Sequence, residues 1–303
     1  MVVTLAAAAV CVVANAVVYA APAPGGDDVT CRPDAAHPRP VVLVHGDGAG
    51  VQATWPLLRD SLRRDGFCVF APEYGRHTAA ETTNLLDFAG GSDIRTSAID
   101  VGTYLHRVRS STGARQIDVV AHSMGALTVR QFLRFDGGWI GGDPPTSVVR
   151  TLVSVAGPNH GTTFNGNQGL RDRASRLGLP ADDAIALGVG PSYTQQMVGS
   201  SLLTELNAGG DTLPGIRYVA LATHDDAVVT PPASGFLAAV RGAAVQNVWV
   251  QDGCPGRVVS HSQMTTDSRS RWMIRQALDT GAVSISAGPC AADATATPTR
   301  AGR

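Results

Sequence analysis

The stretch Val119-Val120-Ala121-His122-Ser123-Met124-Gly125-Ala126-Leu127 constrains this chain more than any other. Residues 116–121 form an apolar run that predicts a buried strand. Residues 123–135 follow at once with Leu127, Phe132 and Leu133 at helical spacing. Ser123 falls at the junction. A strand that passes directly into a helix brings the two elements almost into contact, so the flanks of the turn must be small; Ala121 and Gly125 are. Such a turn lifts its serine hydroxyl out of the sheet edge. This is the layout of a nucleophile elbow, Gly-x-Ser-x-Gly, with Ala121 in place of the first glycine. The same residues also permit a plain turn in which Ser123 caps the helix. The decision rests on whether the chain supplies partners for the hydroxyl.

The rest of the chain repeats the strand-helix rhythm. Residues 41–44 are four consecutive apolar residues, as in a parallel strand buried on both faces. A tight turn follows at His45-Gly46-Asp47-Gly48. Thr54 is placed to cap a helix with Pro56 in its first turn and Leu57, Leu58 and Leu62 at helical spacing. Residues 67–71 predict a strand, and residues 76–91 a loop with a short helix. Ile94, Ala98, Val101, Leu105 and Val108 lie on one helical face that Gly113 can end. Residues 137–145 read as a glycine-rich loop and 148–155 as another buried strand. From 157 to 214 the rhythm breaks, and two short amphipathic patterns appear, one with Ile185, Leu187 and Val189, the other with Met197, Leu202, Leu203 and Leu206. This segment is expected to be a cap over the elbow. Strands resume at 216–222 and 245–250. Asp267 or Ser268 can cap a last helix carrying Trp272, Ile274, Ala277 and Leu278, with Gly281 at its end. Alternating units with one insertion predict a mostly parallel, doubly wound α/β sheet in one domain, residues 27–282, with a polar tail at 283–303. The 303 residues, 44% apolar and 16% charged, suffice for a large core.

A serine hydroxyl attacks poorly until a base takes its proton. Where an elbow serine is used, the acid and then the histidine follow it on loops after later strands. Asp226 follows the strand 216–222. His261 follows the strand 245–250 and is the only histidine beyond the candidate acid. Both lie at the carboxyl ends of strands, where such sheets bind ligands. Asp225 is the alternative acid. An oxyanion hole needs two backbone N–H groups. Met124, next to the nucleophile, and Asp47, in the His45-Gly46-Asp47 turn, are placed to give them. His122 is expected to pack and His160 to hold the start of the cap.

Residues 1–20 are apolar and end in Val18-Tyr19-Ala20, a small-x-small pattern, before a Pro- and Gly-rich stretch reaching Gly26. This reads as a signal peptide. The segment carries no Lys or Arg near its start, so an uncleaved membrane anchor is the alternative. With Cys11 in that segment, Cys31, Cys68, Cys254 and Cys290 remain, and an exported chain is expected to pair them. Of three possible pairings, Cys31–Cys68 suits a cysteine just before the first strand and one inside the second. That leaves Cys254–Cys290. The net charge of −1 gives no reason to expect nucleic acid or an anionic membrane as partner. The chain has no lysine, which excludes a lysine Schiff base and a Walker-type phosphate loop.

Residues 30–46, 66–71, Ala121-His122-Ser123-Met124-Gly125, Asn159-His160-Gly161-Thr162, Leu203 to Gly210 and Asp226-Ala227-Val228-Val229-Thr230-Pro231 together resemble the secreted actinobacterial lipases and esterases, the class 2 triacylglycerol lipases. The resemblance implies an α/β-hydrolase fold with a small helical cap. It implies Ser123 as nucleophile, Asp226 (by register) as acid and His261 as base, acting on an acyl ester or lipid through an acyl-enzyme. It implies no cofactor and no metal. The expected product is a secreted monomer with no stable membrane insertion after cleavage. Acyl transfer from the same intermediate, and an inactive binding protein on this scaffold, are the alternatives. Two departures stand out. Asp47 occupies a position where these enzymes commonly have Thr, and its side chain is expected to point away from the oxyanion hole. A cysteine pair common just before Gln195-Gln196 is replaced by Ser192 and Tyr193.

Overall fold

The computed structural model describes residues 27–28, 30–78, 82–284 and 288–290. The segment 1–20, read as a signal peptide, and most of the tail lie outside the described residues.

The chain begins with β1 (Val41–Val44), then the short helices α1 (Val51–Thr54) and α2 (Pro56–Arg64), β2 (Val69–Phe70) and α3 (Ile94–Thr112). Next come β3 (Ile117–His122), α4 (Gly125–Phe135), a small hairpin of β4 (Trp139–Ile140) and β5 (Thr146–Ser147), and β6 (Val149–Val155). Helices α5 (Asn167–Arg176), α6 (Ala181–Val189), α7 (Ser192–Gln195) and α8 (Ser201–Asn207) form the cap. They are followed by β7 (Arg217–Ala222), β8 (Ala244–Trp249) and α9 (Ser268–Thr280). Six strands form one parallel sheet in the order β2-β1-β3-β6-β7-β8. β1 and β3 are fully buried; β1 is an unbroken apolar run, while β3 also buries Asp118, which pairs with Arg39 at 2.7 Å. The two faces of the sheet carry separate apolar clusters. One joins α3, α4 and α8 to the sheet, and the other joins α2 and α9 to it.

Several local expectations are corrected. Thr54 does not cap α2. Its hydroxyl donates backwards to the carbonyls of Ala49 and Gly50, at 2.9 and 3.0 Å, and so closes α1. The N-cap of α2 is Trp55, whose indole is fully buried, and Pro56 takes the first helical position. Residues 82–91 are turns and not a helix, and the loop 137–145 contains half of the small hairpin. The cap holds four helices and not two, since α5 and α7 carry no clear apolar stripe. The C-terminal prediction holds: Asp267 caps α9 by accepting from the Ser270 amide at 2.9 Å. Disulfides join Cys31 to Cys68 and Cys254 to Cys290. Such bonds persist in oxidising compartments. No helix among the described residues is long and apolar enough to cross a membrane.

Sheet order positions the site. The chain moves from β1 outward to β2 and then returns to place β3 on the other side of β1. The crevice at the carboxyl ends of β1 and β3 is therefore the switch point where ligands bind in such sheets.

Candidate active site

Register brings the first two predicted parts together. Val44 pairs with Ala121, so the turn that leaves β1 runs beside the turn that leaves β3. Gly46 consequently sits against Ser123. A Cβ on Gly46 would stand 2.7 Å from the Ser123 Cβ and 3.1 Å from the His122 carbonyl oxygen. The same crowding acts on Gly125, where a Cβ would stand 2.4 Å from the His45 carbonyl oxygen. Helix α4 therefore starts at Gly125, two residues later than the pattern predicts. Ser123 takes φ of 54°, a left-handed conformation rare for a residue with a side chain. Strain of this kind gathers at functional sites and persists only where the surroundings enforce it. Here the Ser123 amide is tied to the Val155 carbonyl at 2.9 Å.

The turn beside Ser123 is held by His45. Its Nδ1 donates to the Gly46 carbonyl at 2.8 Å, and its Nε2 accepts from the Tyr74 amide at 3.4 Å. The Tyr74 hydroxyl donates to the His45 carbonyl at 2.5 Å, with the two rings stacked 4.3 Å apart. Burial holds the His45 imidazole below its usual pKa, which suits this neutral form.

Asp226 and His261 also meet. Asp226 Oδ1 accepts from the amides of Val228 and Val229, at 2.9 and 2.8 Å. That fixes the carboxyl with Oδ2 facing His261 Nδ1 at 2.8 Å. The Nδ1 proton is thereby engaged and Nε2 is left as the acceptor. Asp225 faces elsewhere: its Oδ2 accepts from the Val259 amide and from Gln251 Nε2, both at 3.0 Å. With Thr223, whose hydroxyl donates to the Val259 carbonyl at 2.5 Å, it anchors the loop that carries His261. The choice between the two acids is thus a difference in role. His122 donates from Nε2 to the His261 carbonyl at 3.2 Å. Burial pushes its imidazole down to about 3, so it packs as a neutral ring.

Ser123, His261, Gly46 and Asp47 line one pocket of about 590 Å³. Its walls are Phe88, Phe164, Val189, Tyr193, Ala227 and Val228. Phe164 stacks on Tyr193 at 4.2 Å. Asp47 does not turn out to solvent. Its Oδ2 accepts from Ser192 Oγ and Gln196 Nε2, at 3.4 and 3.3 Å. Burial pushes its carboxyl up to about 7, against the opposing pull of Ser192, Gln196 and the Gly48 amide. Among the described residues no cluster of three or more His, Cys, Asp or Glu side chains is arranged to hold a metal ion.

A polar network under the cap has no counterpart in the sequence reading. Arg130 on α4 is buried and donates to the carbonyls of Asn159 and Asp211, at 3.2 and 2.9 Å, and to Asn207 Oδ1 at 2.6 Å. It ties the two ends of the cap to the elbow helix. His160, expected to hold the start of the cap, places Nε2 3.0 Å from Asp211 Oδ2 near the cap's end. Burial alone would raise the Asp211 carboxyl. The His160 and Ala238 hydrogen bonds, with Arg130, hold it below its usual pKa instead.

Known lipases resemble this chain in sequence and in fold. A triacylglycerol lipase of Pseudomonas fragi is 26% identical over 143 residues, covering 46% of this chain and 41% of its own. The chain thus matches less than half the length of that relative. Aspergillus fumigatus lipase B has the same fold, with TM-score 0.59 and 18% identity over 79% of this chain and 52% of its own. The mature form of a Bacillus licheniformis lipase also shares the fold, at TM-score 0.52 and 14% identity, over 83% of this chain and 95% of its own. The family model for class 2 lipases matches residues 38–270. The chain belongs to the class 2 lipase family, within the α/β-hydrolase fold.

Proposed function

We propose that this protein is a secreted carboxylic ester hydrolase acting on lipid or acyl esters, with Ser123, Asp226 and His261 as its triad. The observation that carries the reading is the Asp226–His261 hydrogen bond of 2.8 Å, in the same pocket wall as an elbow serine held at positive φ.

In the proposed cycle, His261 Nε2 takes the Ser123 hydroxyl proton as Oγ bonds to the ester carbonyl carbon. The carbonyl π pair moves onto oxygen, where the amides of Asp47 and Met124 hold the negative charge. Asp226 keeps the imidazole in its Nδ1–H tautomer and stabilises the imidazolium. As the pair returns from oxygen to carbon, the bond to the leaving alkoxide breaks, and His261 gives it the proton. Water then adds to the acyl-enzyme by the same route, releasing the acid and restoring Ser123. The apolar walls suit an acyl chain. The disulfides support export, since both would be at risk of reduction in a cytosol.

The test is Ser123→Ala on 4-nitrophenyl butyrate and 4-nitrophenyl palmitate. The expected loss in kcat is roughly 10⁴-fold or more, with substrate binding retained. Turnover that survives in the variant overturns the reading.

A further inference from the structure

The hydroxyl of Thr162 sits behind the proposed acid and has no part in that cycle. Thr162 is fully buried. Its Oγ1 donates to the Val228 carbonyl at 2.5 Å and accepts from the amides of Phe164 and Thr230, at 2.9 and 3.0 Å. A hydroxyl has one donor and two acceptor sites, so all of them are in use. The backbone of Thr162 is fastened on its other side. Its amide donates to the Gln196 carbonyl at 2.9 Å, and its carbonyl accepts from the Val198 amide at 3.4 Å. One residue thus lies between the cap and the loop that carries Asp226.

The contact that matters is with a single peptide group. The Val228 carbonyl and the Val229 amide are two ends of one planar unit. Thr162 holds the oxygen end. The N–H end donates to Asp226 Oδ1 at 2.8 Å, and Oδ2 of that carboxyl faces His261 Nδ1 at 2.8 Å. A hydroxyl that donates to a peptide oxygen polarises the unit and makes its N–H a stronger donor. The unit also passes on direction. If its oxygen swings away, its N–H swings too, and Asp226 Oδ1 keeps only the Val228 amide at 2.9 Å.

We propose that Thr162 is a positioning residue for the triad, and that it aims the Asp226 carboxyl at His261 through the Val228–Val229 peptide. The inference rests on the ester-hydrolase reading. Thr162 transfers no proton and forms no covalent bond in this role. The same hydroxyl holds the amide of Phe164, whose ring lines the pocket and stacks on Tyr193. The pocket wall and the acid therefore share one anchor. Thr163 provides the contrast. Its hydroxyl bonds to Thr230 Oγ1 at 2.7 Å, on the same seam, and not to the peptide that holds Asp226.

The experiment compares wild type, Thr162→Val, Thr162→Ser and Thr163→Val on 4-nitrophenyl butyrate, with rates taken per folded molecule by circular dichroism. Thr162→Val keeps the shape and removes the hydroxyl. Its kcat falls roughly tenfold to 10²-fold while KM changes by less than about threefold. Thr162→Ser puts the hydroxyl back and restores kcat to within about threefold of wild type. Thr163→Val stays near wild type. The proton on His261 Nδ1 gives a direct reading by nuclear magnetic resonance. Its low-field signal, assigned by its loss in His261→Gln, moves upfield in Thr162→Val and stays in place in Thr162→Ser and Thr163→Val, because a carboxyl turned off line makes a weaker hydrogen bond. If Thr162→Val does not fold, Thr162→Cys, which keeps a weak donor, shows the same split to a smaller extent. A hydroxyl that only supports the fold would lower the melting temperature and leave kcat and the signal unchanged, and that result overturns the proposal. If Ser123→Ala is inactive and Thr162→Val keeps the wild-type kcat, this inference alone falls; if Ser123→Ala turns over, the hydrolase reading falls and takes it along.

Discussion

Helices α4 and α6 are similar in length and opposite in how they are held. α4 is buried continuously from Gly125 to Leu133, and each large apolar side chain there contributes about 1.5–3 kcal/mol. α6 buries none of its nine residues. It is held by backbone hydrogen bonds from Asn84, Leu85 and Leu86 to Ala186, Leu187 and Gly188, at 2.8–3.0 Å. The Arg171–Asp182 pair that links α5 to α6 is largely exposed at its acidic end and contributes at most about 1 kcal/mol. The difference separates two jobs. The floor of the pocket is fixed by packing and cannot vary without loss. The outer cap buries little apolar surface, so its side chains can change at small cost in stability.

The floor breaks most easily at Gly46. In Gly46→Ala the new Cβ meets Ser123 Cβ and the His122 carbonyl, both anchored to core strand β3, so the turn must shift instead. The expected loss in kcat is roughly 10²–10³-fold, the size seen when an oxyanion donor is removed or a reacting group is displaced. Steady-state rates on a short ester, with circular dichroism to confirm folding, test this. Rates near wild type would mean that the turn lies away from the reacting centre.

The join between the two regions is Arg130. Arg130→Met keeps the length and apolar stem but leaves Asn207 Oδ1 and the carbonyls of Asn159 and Asp211 without this donor. Asn159 still receives Asn207 Nδ2 at 3.0 Å, so the loss is partial there. Summed over the acceptors, the expected destabilisation is about 3 kcal/mol. Chemical denaturation measures it. A change below about 0.5 kcal/mol, the usual scale for surface substitutions, would show that the cap does not depend on this network.

The same contrast explains what the sequence reveals. Strand β1 and the elbow announce themselves because a parallel strand buried on both faces can be an unbroken apolar run, and a tight βα turn admits only small flanking residues; β3 and β6 are read from apolar stretches that Asp118, Arg150, Thr151 and Ser154 interrupt. Asp226 and His261 are picked out in the sequence by chain order and strand ends, and the structure sets them 2.8 Å apart. Arg130 is invisible. It sits within an amphipathic helix like any surface arginine, and its partners lie 29 to 81 positions away. Helix α5 is missed because Leu170 is its one large apolar residue, so it carries no apolar stripe. Asp47 is seen, but its partners are not. Sequence gives its place in the turn, while its orientation depends on Ser192 and Gln196, which reach it from the cap.

The outer cap should show its role through selectivity and not stability. Leu85, Leu86 and Leu187 are 53%, 67% and 49% exposed, and the backbone ladder groups them on one rim. Phe88 and Val189, a few residues further along the same two segments, line the pocket. An acyl chain long enough to pass Phe88 and Val189 therefore reaches the rim leucines, while a butyryl group stops short of them. Leu187→Ser should leave the unfolding free energy within about 0.5 kcal/mol of wild type, because the side chain is half exposed and outside the core. It should leave kcat/KM for 4-nitrophenyl butyrate unchanged and lower that for the palmitate ester about threefold, the loss of less than one buried methylene's worth of contact. An equal fall on both esters would place Leu187 in the support of the pocket and not on the path of the chain. No fall on either would send the acyl chain along the opposite wall, past Phe164 and Tyr193, and Tyr193→Ala would then separate the two esters.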